Sequence, residues 1–402
     1  MAAPSDGWAT LSVVHVIDDR LKTTSLCLAV AYGSSDDEPG QAGSAHLLEH
    51  LIMSTPVDGE VSFCERVERL GGRANAETGL ELQLYHAQVI ADDADETARL
   101  LLRALREPHL DPVTLDNERA VVLQELTAAA ADPADVVQDA VLAALFPGHP
   151  LGRPVGGDPE LISAVSPDQV RAAHRALLAR PAQLVVVGPR VPDCLQNLPR
   201  TEVTALAEAP SAVGVTGPPA PPEVLWPKDA DYCWLCFGAR SPAAGSPERP
   251  AYTVLAQLLG GSSSSLLYRA LRGEHGLSYA FQTWNRPYRE TGAWRMLIGT
   301  SPDLAEQTVE VVRSLLAAVA ADGPAPGDLD AARRQAVMSL VVDAEEPLEY
   351  ARTIGDRTGA GTRSWDLDAE IATLSAVTAD QVRAAAAVVA AQLLTTVRPE
   401  GV

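Results

Sequence analysis

Leu11 to Ile17 and Ser25 to Tyr32 alternate apolar and polar positions in the two-residue period of a strand, with Leu26, Leu28 and Val30 on one face. A polar run bounded by Gly33 and Gly40 follows and delivers the chain to Gly43 to Met53, where Leu47, Leu48 and Leu51 fall at helical spacing. A second helix is expected from about Ser62 to Leu70, stopped by Gly71-Gly72. Asn75-Ala76-Glu77-Thr78 then leads into a predicted strand in which Leu80, Leu82 and Leu84 alternate with Glu81, Gln83 and Tyr85. Asp92 to Glu107 reads as an amphipathic helix, and Asp111-Pro112 opens another that runs to about Ala131, with Pro133 beyond it. After Leu142 to Pro150 and the glycine-rich turn Gly152 to Gly157, a helix centred on Gln169 leads into the strand Leu184 to Val187.

The composition then shifts. Ala209 to Pro222 is rich in Pro, Gly and Ala and reads as a linker, and beyond it the chain starts over. Ser163-Ala-Val165 and Asp168-Gln-Val-Arg-Ala-Ala173 recur, at a constant offset, as Ser375-Ala-Val377 and Asp380-Gln-Val-Arg-Ala-Ala385. The period is too long for a solenoid, so it indicates a duplication: two similar α+β domains, residues 1–208 and 223–402, joined by the linker 209–222.

The chain has 402 residues, 47% of them hydrophobic, which is ample for sizeable cores. Five scattered cysteines do not form a disulfide framework and fit a reducing compartment. Cys233 and Cys236 have redox spacing but lie in an apolar run, Tyr232 to Phe237, that reads as a buried strand. No basic segment followed by an apolar one marks the N-terminus, and no apolar run approaches the roughly 18 residues of a membrane span. A soluble cytoplasmic protein is expected. The net charge of −22 argues against nucleic acid and anionic membranes as partners, and is compatible with basic peptides.

The chemistry concentrates in the helix from Gly43. Positions three and four apart share a face, so His46, Glu49 and His50 project together. His-x-x-Glu-His is the inverted form of the zinc-protease helix motif: two imidazoles suit zinc, and the carboxylate between them can take a proton from an attacking water. A third ligand is required. Glu118, Val122 and Glu125 form one stripe of the later helix, two carboxylates that in an acidic chain are as easily a solvated face. His15 and His86, on predicted strands, and His109, His149 and His275, near turns, read as structural or exposed.

Taken together, these motifs resemble the pitrilysin/insulinase-type (M16) zinc metallopeptidases, which include insulin-degrading enzyme and the mitochondrial processing peptidases. The likeness spans nearly the whole chain: Gly33-Ser34 and Glu38, Gly43 to His50, Gly71-Gly72 with Asn75-Ala76 and Thr78, Glu118 to Glu125, Pro150 to Arg153, Leu259 to Gly261, and Arg272 to Tyr279. It departs from the family at Ser262 to Ser265 and at Met53 to Pro56, away from the ligands.

The resemblance implies one Zn2+ per subunit held by His46, His50 and Glu125, with Glu49 as general base and Glu118 supporting the site from outside the ligand set. It places Asn75 and Ala76 where the family lays a substrate strand along a sheet edge, and Arg272 and Tyr279 where the family holds the substrate backbone and the developing oxyanion. The fold it implies is a pair of homologous domains, each a mainly antiparallel sheet packed with helices. The second lacks the metal motif, since the corresponding stretch reads Gln257 to Ser265. The function it implies is a zinc endopeptidase of peptides or unfolded segments, working in a chamber closed by paired subunits, either a homodimer or a heterodimer with a homologous chain. The competing readings are a non-catalytic scaffold and a peptide-binding subunit.

Overall fold

The computed structural model describes residues 10–199, 214–215, 217–222, 230–274, 278, 280–359 and 365–400. The first repeat runs β1 (Thr10–Ile17), β2 (Thr23–Val30), α1 (Ser44–Met53), β3 (Pro56–Asp58), β4 (Val61–Ser62), α2 (Phe63–Arg69), β5 (Arg73–Thr78), β6 (Gln83–Ile90), α3 (Ala94–Arg106), α4 (Pro112–Ala131), α5 (Pro133–Leu145), α6 (Pro159–Ala164), α7 (Pro167–Leu178) and β7 (Pro181–Gly188). The second runs β8 (Cys233–Ser241), α8 (Arg249–Gly260), β9 (Ala280–Pro287), β10 (Gly292–Thr300), α9 (Ala305–Asp322), α10 (Pro326–Glu345), α11 (Pro347–Gly359), α12 (Leu367–Ser375), α13 (Ala379–Gln392) and β11 (Leu394–Pro399).

Two units result, and neither is one continuous stretch. One draws on Met1–Leu126, Pro154–Ser211 and Asp343–Trp365, the other on Thr127–Arg153, Ala212–Val342 and Asp366–Val402. The sequence reading drew a contiguous partition at 1–208, 209–222 and 223–402; these units instead exchange a helix, α11 going to the first and α5 to the second. Of the expected linker, residues 209–213 and 216 lie outside the described residues.

The exchange follows from what each sheet must cover. In the first unit the sheet order is β1-β7-β2-β6-β5, with β1 parallel to β7 and every other pair antiparallel. Helices α1 and α3 pack on one face and α11 on the other, and β2 and β7 are accordingly buried along almost their whole length. Gly355 and Gly359 let α11 lie close: a Cβ on Gly355 would sit 3.2 Å from that of Ala29, and one on Gly359 would be 2.5 Å from Leu82 Cδ2. In the second unit the order is β11-β8-β10-β9, all antiparallel. Helices α8 and α13 contact this sheet and each other, and α5 lies on β8 and β11, where Thr396 Oγ1 donates to the Val137 carbonyl at 3.0 Å.

Double coverage also corrects the strand predicted from Leu80. The chain pairs at 73–78, turns, and resumes pairing at Gln83, and both Gln83 and Tyr85 are fully buried beside the apolar positions with which they alternate. The repeated segment proves to be a helix start. Ser166 with Gln169, and Thr378 with Gln381, form reciprocal capping boxes at α7 and α13. Arg119 donates to the Val165 carbonyl and Arg333 to that of Val377, each at 2.6 Å.

Cys233 and Cys236, three apart on β8, point to opposite faces and cannot bridge. Burial pushes their thiols up to about 11 and about 12, far from a reactive range. Among the described residues no single helix is long and apolar enough to cross a membrane.

Candidate metal centre

Helix α1 begins at Gly43, whose φ of 99° belongs to the left-handed region that glycine adopts without strain. Glycine offers no capping side chain, and Asp37 supplies the acceptor instead: its buried carboxylate takes the N–H groups of Gly43 at 2.7 Å and Ala45 at 2.9 Å. Leu47, Leu48, Leu51 and Ile52 are fully buried and hold one face of α1 in the core. His46, Glu49 and His50 are left on the other.

Helix α4 brings the acids. Val122 is fully buried and fixes the helix about its axis, and one turn to either side of it Glu118 and Glu125 face the imidazoles. His46 Nε2 and His50 Nε2 are 3.3 Å apart, and Glu125 Oε2 lies 3.5 Å from the first and 3.3 Å from the second. Two ligands on a tetrahedral zinc, with bonds of about 2.0–2.2 Å, are separated by about 3.3–3.5 Å, so this triangle has the size such an ion requires. The tautomers agree. With both Nε2 lone pairs directed inward toward an ion, each ring would carry its proton on Nδ1, which in His50 lies 3.5 Å from Glu118 Oε2. Among the described residues these three are the one group of His, Cys, Asp or Glu side chains so disposed.

The site is partly desolvated, and its charges respond. Burial pushes His46 below its ordinary range, with help from His50 and against Glu125 and the Gly156 backbone. Burial works in the same direction on His50, but the Glu118 contact and the charges of Glu125 and Glu49 outweigh it and the imidazole is raised. Burial raises Glu49, against the Thr78 hydrogen bond and the neighbouring His50. A raised carboxyl is a better proton acceptor than an ordinary one.

Strand β5 ends at this point. Thr78 Oγ1 donates to Glu49 Oε2 at 2.5 Å, and Gln83 Nε2 donates to Thr78 Oγ1 at 3.0 Å and to the Ala45 carbonyl at 2.7 Å. Asn75 and Ala76 lie on β5, which among the described residues pairs with β6 alone and so forms an edge of the sheet. Ala76 turns into the core while Asn75 is exposed. Arg73 and Glu77, on the same face of β5 as Asn75, are braced from the α10–α11 junction and from α11: Arg73 pairs with Glu346 at 2.6 Å, and Arg352 pairs with Glu77.

Sequence reasoning missed Asp37 and Gln83. The signal for Asp37 was a carboxylate shortly ahead of a glycine N-cap, and for Gln83 a lone amide among strand residues. Arg272 belongs to the second unit, exposed on a π-helical turn with its guanidinium 5.2 Å from the centre of the Tyr268 ring. Tyr279 and His275 lie outside the described residues. Two other histidines have local structural partners: His174 Nε2 lies 2.7 Å from the Leu105 carbonyl, and His149 Nδ1 accepts from the Leu151 N–H at 3.1 Å.

Residues 13–159 match the family model of insulinase, peptidase family M16, and residues 164–336 match that of the peptidase M16 inactive domain. An uncharacterized zinc protease of Mycobacterium leprae is 28% identical over 93% of this chain and 86% of its own length. The beta subunit of the mitochondrial-processing peptidase of Blastocladiella emersonii is 26% identical over 86% of this chain and 77% of that one. Among solved structures, a protease from Helicobacter pylori superposes with a TM-score of 0.80 at 18% identity, covering 96% of this chain and 97% of the other. The peptidase M16 inactive domain from Pseudomonas fluorescens also gives a TM-score of 0.80, at 18% identity, over 98% of this chain and 96% of the other.

Proposed function

Because the chain belongs to the insulinase (M16) family of peptidases, we propose that it is a zinc-dependent endopeptidase of cytoplasmic peptides or unfolded segments. The observation that carries this reading is the triangle of His46, His50 and Glu125 with Glu49 beside it on α1. His46 Nε2, His50 Nε2 and Glu125 Oε2 would hold the ion, and Glu118 would keep the His50 ring in the ligating tautomer. A zinc ion held there would polarise a peptide carbonyl and lower the pKa of a water.

The protein's own groups do the rest. A substrate strand adds to the free edge of β5 through backbone hydrogen bonds, which bind peptide with limited regard to its side chains and run toward Thr78 and Glu49. Glu49 accepts the proton of the attacking water and returns it to the leaving amine. Arg272 and Tyr279 hold the substrate backbone and the developing oxyanion, from the same subunit or from its partner. We further propose that two such chains, identical or homologous, close a chamber that admits unfolded segments and excludes folded proteins.

The rival reading is a non-catalytic scaffold or peptide-binding subunit, favoured by the match of residues 164–336 to an inactive domain. The ligand set lies in the other repeat, and a pure scaffold has no use for three ligands and a base. Metal analysis, followed by cleavage of a mixed peptide library with and without chelator, separates the two. A zinc enzyme cleaves and is silenced by chelation. Glu49→Gln should retain zinc and lose hydrolysis by about 100-fold or more; an active Glu49→Gln protein would refute the assigned base.

A further inference from the structure

We propose that Gln83 is a positioning residue for Glu49: its side-chain amide fixes the direction of the Thr78 hydroxyl, committing Glu49 Oε2 to that hydroxyl and leaving Oε1 for the proton of the attacking water. The inference rests on the peptidase reading and adds to it a specific oxygen and a chain of hydrogen bonds.

The direction of the chain is forced at one end. Gln83 is fully buried on β6, and its Nε2 lies 2.7 Å from the backbone carbonyl of Ala45 in the first turn of α1. A carbonyl can only accept, so the nitrogen and not the oxygen of the amide must face it. Reversing the amide would set two acceptors against each other with no water to relieve them. The second N–H of the same nitrogen reaches Thr78 Oγ1 at 3.0 Å, while Oε1 accepts from the Tyr85 hydroxyl at 2.9 Å. Burial raises Tyr85 well above its ordinary pKa, so the phenol remains a donor.

Thr78 Oγ1 therefore accepts from Gln83. A hydroxyl has one proton, and this one goes to Glu49 Oε2 at 2.5 Å. With that oxygen occupied, the carboxylate is restrained against rotation about its terminal bond and the other oxygen is the one available to the reaction. The same amide joins Ala45, immediately before the first ligand, to Thr78 at the end of the substrate edge. Base, edge strand and metal helix thus share one fixing point.

The test uses the zinc-loaded full chain with Thr78→Val, Thr78→Ser, Gln83→Met and the Thr78→Val/Gln83→Met pair. Both Thr78→Val and Gln83→Met should keep one zinc per chain by metal analysis, leave KM unchanged and lower kcat about ten- to a hundredfold, the effect of a misplaced base. The pair should lose no more than Thr78→Val alone, because both changes break one chain, and Thr78→Ser should stay near wild type. Losses that multiply in the pair, or an undiminished kcat in Gln83→Met, overturn the proposal. If Gln83→Met does not fold, a crystal structure of Thr78→Val decides: the Glu49 carboxylate should rotate from its wild-type position, and an unmoved carboxylate overturns the proposal. That arm needs no turnover, so a wild type that binds zinc yet cleaves nothing defeats the peptidase reading separately.

Discussion

Glu118 Oε2 lies 3.5 Å from His50 Nδ1, on the opposite side of the ring from the nitrogen that faces Glu125. The imidazole is held from both ends by carboxylates on a single helix. Its orientation therefore depends on Glu118 as well as on Glu125, the third corner of the triangle.

Replacing Glu118 by Gln should weaken zinc binding about 10- to 100-fold, the usual effect of removing a carboxylate behind a ligating histidine. Competition with a chromophoric chelator measures it directly. An unchanged affinity would show that the His50 ring is oriented by packing alone.

The Glu77 carboxyl is lowered to about 2, by contact with the His86 imidazole and by Arg352, against burial. Its ordinary value is 4.5. A folded-state pKa below the unfolded one stabilises the fold above about pH 4.5, and this contribution is lost as the pH falls through about 2. Glu77→Gln imitates the protonated side chain. The Tm difference between wild type and Glu77→Gln should be widest above about pH 4.5 and close as the pH approaches 2; a difference independent of pH would count against the ion pair.

Gly157 has a φ of 92°, and a Cβ on it would lie 2.2 Å from the Cα of Gly43. Alanine here meets both backbone strain and a collision with the start of the metal helix. Gly157→Ala should destabilise the fold by about 1–3 kcal/mol in denaturant titration and weaken zinc retention as α1 shifts. Gly59, with a φ of 62° and open space around it, is the control: alanine there meets the strain without the collision.

Asp37 accepts two N–H groups from the first turn of α1. Asp37→Ala should cost about 0.5–2 kcal/mol, as the loss of a helix cap does, and hydrogen exchange should quicken first at Ala45.

The histidine helix was legible because ligands on one helix must recur at a spacing that also reveals the helix. The duplication was legible because a capping box is a local pattern and survives copying. Glu125 was not readable from the residues alone: an acid on a long, alanine-rich helix has no distinguishing mark, and only the resemblance to a family singled it out. Gln83 and Tyr85 escaped because alternation assumes a sheet with one dry face, whereas the second cover of this sheet, α11, is encoded far downstream. For the same reason a repeat period reveals that helices correspond without revealing which sheet each one lies on.

The traded helices tie each sheet to a segment encoded in the other repeat. A polypeptide severed between its repeats would leave α5 without the strands it lies on and strip α11 from β2 and β7, so each half would meet water with an oily surface meant for the other copy's helix. The repeat without the histidine motif thus supplies the helix that covers the far face of the other repeat's sheet, and either half expressed alone should aggregate.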